Sequence, residues 1–196
     1  MKVTSALGTC LRQATRDAHH RLDSHSVLRP LVSSGLTSED YLQALLALYS
    51  AQCRLEEAIA RGLHHLQLDY PLQPRAPALT DDLTAMNQPL PIIDKTPMLT
   101  VCRPGQLIGL LYVLEGARLG SRVIARNVHR SLGDRVPSGY FSIAEEAESW
   151  SAFWPFAERH CPAAEQPAAM TAADAAFQLF LSGLDEYQAA ASLGCA

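Results

Sequence analysis

His19, His20 and Asp23 form the cluster in this chain whose residue types and spacing most directly suggest chemistry. Neighbouring helical positions differ by about 100° around the axis, so His19 and His20 point to different sides and serve different ends. His19 shares a face with Arg12, Thr15, Arg16, Leu22 and Asp23, whereas His20 lies nearer Asp17. Asp23, four residues after His19, is placed to accept the Nδ1 proton and leave Nε2 as a donor atom for a metal. The alternative is a pair of solvated histidines on a polar helix face, and the spacing alone leaves both readings open. His25, His64, His65, His129 and His160 are read as solvated.

The wider sequence narrows what such a donor would bind. No His-x-x-x-His pair and no Glu-x-x-His pair occurs, which removes the usual helical zinc and di-iron carboxylate signatures. The five cysteines stand at wide spacings without a Cys-x-x-Cys, so they read as thiols in a reducing compartment rather than metal ligands or disulfides. A metal bound by His19 would therefore arrive inside a cofactor. A second unusual feature is a set of glycines, Gly109, Gly116 and Gly120, within GLLYVLEGARLGSRVIARNV. Each costs a helix interior roughly 0.5–1 kcal/mol relative to alanine. Gly116 and Gly120 share a face, with Ala117 and Ser121 beside them, and make a groove in which backbone replaces side chain. Close helix packing is one explanation; a flat ligand pressed against the groove is the other.

The elements that position these residues are helical. Apolar residues recur at spacings of three and four almost throughout, and no stretch alternates with period two, so the chain is all-α. The first helix is expected from about Thr9 to Ser24, with Leu11, Ala14, Ala18 and Leu22 on its buried stripe. Thr37-Ser38-Glu39-Asp40 resembles a capping box with Asp in place of Glu, opening a helix to about His64 with Tyr41, Leu45, Leu48, Leu55 and Ile59 inward. Pro71, Pro74, Pro77, Pro89 and Pro91 mark a loop-rich crossover with a short helix from Pro77 to Met86. Pro104 opens the glycine-bearing helix and Gly133 stops it. Ser142-x-x-Glu145 resembles another box, before a helix carrying Trp150, Phe153, Trp154 and Phe156. The last helix carries Phe177, Phe180, Leu181, Leu184 and Tyr187.

At 196 residues, with 48% hydrophobic and 18% charged residues, the chain is expected to be a single domain spanning residues 1–196. A formal charge of −4 argues against a nucleic-acid surface. The absence of a signal-like N-terminus and of a long apolar run points to a cytoplasmic protein with no membrane partner.

Leu11-Arg12-Gln13-Ala14-Thr15-Arg16-Asp17-Ala18-His19 closely resembles the first helix of the haem (heme) oxygenases, whose Leu-basic-x-Ala-Thr-x-x-x-His pattern carries the proximal haem ligand. Gly116-x-x-x-Gly120-Ser121 resembles their distal helix, and Tyr112-Val-Leu-Glu-Gly116 with Leu119-Gly120 looks like the bacterial members, including those that accompany phytochromes. The resemblance implies a multi-helix fold with haem sandwiched between a proximal and a distal helix. It assigns His19 as the proximal iron ligand and Asp23 as that histidine's acidic partner. Arg12 would lie near a haem propionate, with Thr15, Tyr112 and Ala117 also beside the haem. Gly116, Gly120 and Ser121 would form the distal wall. Two departures stand out: Ser121 replaces the second glycine of a common Gly-Gly pair, and Ala117 replaces an aspartate that organises distal water in animal members. Arg118, Ser121 and Arg122 are the nearby residues that could take over that task.

The implied activity is opening of haem to biliverdin with release of CO and ferrous iron, haem being both cofactor and substrate. It uses O2 and electrons from an external donor or redox protein, with a bacteriophytochrome as a recipient of biliverdin. A neutral imidazole pushes less electron density onto iron than a thiolate does, which disfavours heterolysis of an O–O bond and suits attack on carbon. Two other readings remain: a non-catalytic haem-binding or haem-delivery protein on the same fold, and a haem-free helical enzyme of thiaminase-like architecture.

Overall fold

The computed structural model describes residues 6–93, 99–142 and 148–194, and among them there is no strand. The order is α1 (Ala6–Asp23), a 3-10 turn (Arg29–Val32), α2 (Ser38–Leu66), α3 (Ala76–Ala85), α4 (Pro104–Leu132), a second 3-10 turn (Gly133–Arg135), α5 (Gly139–Ser142), α6 (Glu148–His160), a third 3-10 turn (Ala163–Glu165) and α7 (Gln166–Gly194). None of these helices is long and apolar enough to cross a membrane.

Helix starts follow local chemistry. Thr37 Oγ1 accepts the Asp40 amide at 3.1 Å while Asp40 Oδ2 accepts the Thr37 amide at 3.1 Å, so the expected box opens α2 with Asp in the reciprocal role. At α4, Pro104 occupies the first turn, and Gln106 Oε1 accepts the amides of Cys102 and Arg103 at 2.8 and 3.2 Å. The far end of α4 stops at Gly133, whose φ of 55° and ψ of −137° suit glycine and few other residues. The box at Ser142-x-x-Glu145 extends outside the described residues.

Helices α4 and α7 make the most extensive pairing, and α1 packs mainly on α7. Small residues permit the first of these. A Cβ at Gly105 would run into the carbonyl oxygen of Glu165, and one at Gly109 into that of Ala169, with Ala173 adjacent. Close backbone approach is the reason for glycine at these two positions. Tyr41, Leu45, Leu55 and Ile59 of α2 are fully buried, as are Leu107, Ile108 and Leu111 of α4. Burial of such a side chain contributes roughly 1.5–3 kcal/mol.

The first helix corrects the expected stripe. It begins at Ala6, and Leu7, Gly8, Leu11, Thr15 and Ala18 are buried, while Ala14 is exposed. Thr15 goes inward because its hydroxyl donates to the Leu11 carbonyl at 2.9 Å, which satisfies the polar atom within the helix. His25 also departs from a solvated reading: its side chain is only 10% exposed, with Nε2 at 3.2 Å from Asp185 Oδ1. Together with the Ser26 hydroxyl bonded to Gln188, this ties the exit of α1 to α7.

Candidate functional site

His19 lies on the flank of α1, one turn from its C-terminus. Its Nδ1 sits 2.9 Å from Asp23 Oδ2, and the imidazole ring rests against Phe177 of α7 with centroids 5.6 Å apart. No hydrogen bond from a described residue reaches Nε2, and the side chain is 60% exposed. The four-residue spacing thus does what it promised: Asp23 holds one ring nitrogen and leaves the other presented outward. His20 is exposed and takes no part.

Gly116 and Gly120 occupy the continuation of the α4 face that carries Gly105 and Gly109, since spacings of four and seven return to nearly the same side. Their surroundings are the reverse of the first pair. A Cβ at Gly120 would meet nothing within 4 Å, and one at Gly116 would meet only the Trp150 ring, at 3.6 Å. Packing against the third 3-10 turn and α7 therefore explains the first two glycines and leaves the second two without a structural reason. Between and beyond them, Leu119 is 45% exposed and Val123 is 56% exposed. Gly116, Leu119, Gly120 and Val123 make an open apolar strip along one face of α4. At its upper end Tyr112 packs against Trp150, with centroids 5.8 Å apart, and against Phe153 and Trp154.

The other expected residues divide into two groups. Arg12 and Ala117 are exposed, Arg12 on α1 and Ala117 at the edge of the strip. Thr15 and Ser121 face the interior instead. Ser121 is 3% exposed, and its Oγ accepts from Arg75 at 2.7 Å and donates to the Ala117 carbonyl at 3.0 Å. Arg118 also turns inward, where its Nε stands 3.0 Å from Glu115 Oε2 and its Nη2 donates to the Gln73 carbonyl. The site residues that sequence reasoning missed are Leu119, Val123, Trp150 and Phe177. Leu119 and Val123 were within reach, because each lies three residues after one of the two unexplained glycines.

A helical bundle that presents an outward imidazole on its first helix and a glycine-floored apolar strip on a long central helix belongs to a recognisable class of cofactor-binding α protein. The family model described as "Heme oxygenase" matches residues 5–186, so the chain belongs to the haem oxygenase family. It is similar to a haem oxygenase from Xanthomonas campestris pv. campestris, at 29% identity over 158 residues that span 79% of this chain and 94% of the relative. Solved structures share the fold. Haem oxygenase-1 of the cyanobacterium Synechocystis in complex with haem aligns with a TM-score of 0.69 at 16% identity, covering 97% of both chains. The haem oxygenase of Leptospira interrogans aligns with a TM-score of 0.70 at 18% identity, covering 93% of this chain and all (100%) of that one. The NO- and CO-bound enzyme of Neisseria meningitidis aligns at 0.67 and 19% identity, covering 92% and 91%.

Proposed function

We propose that this protein is a haem oxygenase that opens haem to biliverdin with release of CO and ferrous iron, using His19 as the proximal ligand and the Gly116/Gly120 strip as the distal wall. The observation that carries the proposal is the strip itself: two helix-interior glycines, Gly120 with nothing in its Cβ space and Gly116 with only the Trp150 ring in ordinary contact, flanked by exposed Leu119 and Val123. A planar macrocycle would fill that space and cover the apolar side chains. The donor on α1 also suits haem iron, since Asp23 Oδ2 stands 2.9 Å from Nδ1 of His19 and leaves Nε2 as the ring nitrogen open to a metal.

Bound haem supplies the iron that activates O2 and the carbon skeleton that is opened. The chain's own contribution is positional. Asp23 stands beside Nδ1 of His19, and Phe177 packs against the ring from α7, so both restrict its orientation. The absence of side chains at Gly116 and Gly120 lets the ligand approach the helix closely, while Leu119 and Val123 exclude water from the covered face. Arg12, two turns before His19 on the exposed side of α1, is assigned to a propionate. Electrons come from an external donor or redox protein, and the biliverdin formed is available to a bacteriophytochrome.

A second reading, a haem-binding or haem-delivery protein without turnover, is favoured by one observation. Ala117 brings no polar group to the strip, and Arg118 and Ser121, which could have replaced it, are bonded on the interior side. His19→Ala tests the ligand assignment for both readings. The variant is expected to lose the histidine-ligated haemin spectrum while keeping its helical content; an unchanged spectrum overturns the assignment of His19.

A further inference from the structure

The Gly116–Gly120 segment is a soft point. Two glycines sit four residues apart, nothing packs on their open side except Trp150, and Ser121 adds a hydroxyl bonded back to the Ala117 carbonyl, an arrangement that bends helices. The side facing away from the strip is held differently. Residues 68–75 are non-helical and are joined to α4 by two polar ties. The Gln73 carbonyl accepts from Arg118 and Arg75 donates to Ser121, while burial and the neighbouring Glu115 carboxylate push the Tyr70 phenol up. Glu115, Arg118 and Ser121 recur every three residues, with Arg118 about half a turn from Gly116 and Gly120 and the other two on either side of it.

The ties are built from buried groups. Arg75 is 1% exposed, and its guanidinium lies 4.4 Å over the Tyr140 ring and donates to the Tyr140 carbonyl at 3.2 Å. Its own amide donates at 2.6 Å to Glu56 Oε1, which also accepts from Gln52 at 2.6 Å. Tyr140 completes the set by donating its hydroxyl to Gln52 Oε1 at 2.8 Å. Arg75 is therefore fixed independently of α4, and the helix is fastened to it rather than the reverse.

We infer that residues 68–75 form a strap that sets the shape of the open strip of α4 from behind, with Arg75 and Ser121 as its positioning pair. That the strip receives haem rests on the function proposed above; that the strap holds the strip does not. The strap makes a serine useful at position 121, where a hydroxyl fastens the helix.

Amide hydrogen exchange on the haem-free protein, paired with haemin dissociation rates, tests this. In Ser121→Ala, exchange at residues 116–121 is expected to accelerate about tenfold, the loss of one charge-assisted hydrogen bond, with exchange in α2 and α7 unchanged. Haemin dissociation should accelerate with it, Arg75→Met should add little to Ser121→Ala, and Ser121→Thr, which keeps the hydroxyl, should restore wild-type behaviour. Arg118→Met, which removes the tie to the Gln73 carbonyl, gives the same readout if Ser121→Ala does not fold. Unchanged exchange at 116–121 overturns the strap. Faster exchange with unchanged haemin dissociation overturns its role in shaping the strip. A wild-type protein that binds no haemin would refute the proposed function while the exchange result still decides the strap.

Discussion

At His19 the deciding atom is Nδ1. A carboxylate beside Nδ1 orients an imidazole for ligation through Nε2, so Asp23 is expected to strengthen ligation without touching the ligand. Asp23→Ala should weaken haemin binding about tenfold while preserving a histidine-ligated spectrum, as read by optical titration. Retention of full affinity would show that Asp23 is only a helix-surface partner. This pair was legible because a four-residue spacing dictates contact on any helix. The inward turn of Thr15 was less legible: Ala14 is apolar and Thr15 is polar, and only the internal bond to Leu11 makes burial of the latter inexpensive.

At the scale of the helix, four glycines on one face of α4 predict opposite responses to the same substitution. Gly109→Ala places a methyl group against the α7 backbone at Ala169 and should destabilise the protein. Gly120→Ala enters open space and should stabilise the haem-free protein by roughly 0.5–1 kcal/mol through helix propensity alone. The second variant should nonetheless bind haemin more weakly, so thermal melts with and without haemin separate packing from ligand approach. Equal stabilisation in both conditions would remove the ligand explanation for Gly120.

The α4–α7 junction adds a pH dependence. Glu165 accepts from Arg103 at 2.7 Å and from the Gly105 amide at 2.9 Å, and these bonds hold its carboxyl below the ordinary range. A depressed folded-state value means that the stabilisation is complete above the unfolded carboxyl's range and is lost as the pH falls through the lower folded value. Glu165→Gln should flatten that part of the melting temperature against pH profile; an unaltered acid limb would contradict the assignment.

Across the whole molecule, the contrast between what the sequence made visible and what it concealed follows from range. The Thr37 capping box, the Pro104 start and the Gly133 stop are decided within a few residues, and they read correctly. The inward ties from Gln73 and Arg75 to α4 join residues some 45 positions apart, as Gln73 and Arg118 are, and no local pattern encodes them. The irregular crossover consequently reads as a connection, although it backs the candidate site. The proposed function has a further consequence: haemin held between α1 and α4 would bind only the folded chain. Saturation at about 100 times Kd should raise the melting temperature by roughly 5–10 °C.

The central claim is that this scaffold turns haem over rather than merely holding it. The most direct measurement is aerobic reaction of the stoichiometric haemin complex with ascorbate in the presence of catalase, followed by extraction of the pigment. The account predicts loss of the Soret band, growth of biliverdin absorption and release of ferrous iron. A Soret band that persists under reductant and oxygen would contradict it and establish the haem-binding reading instead.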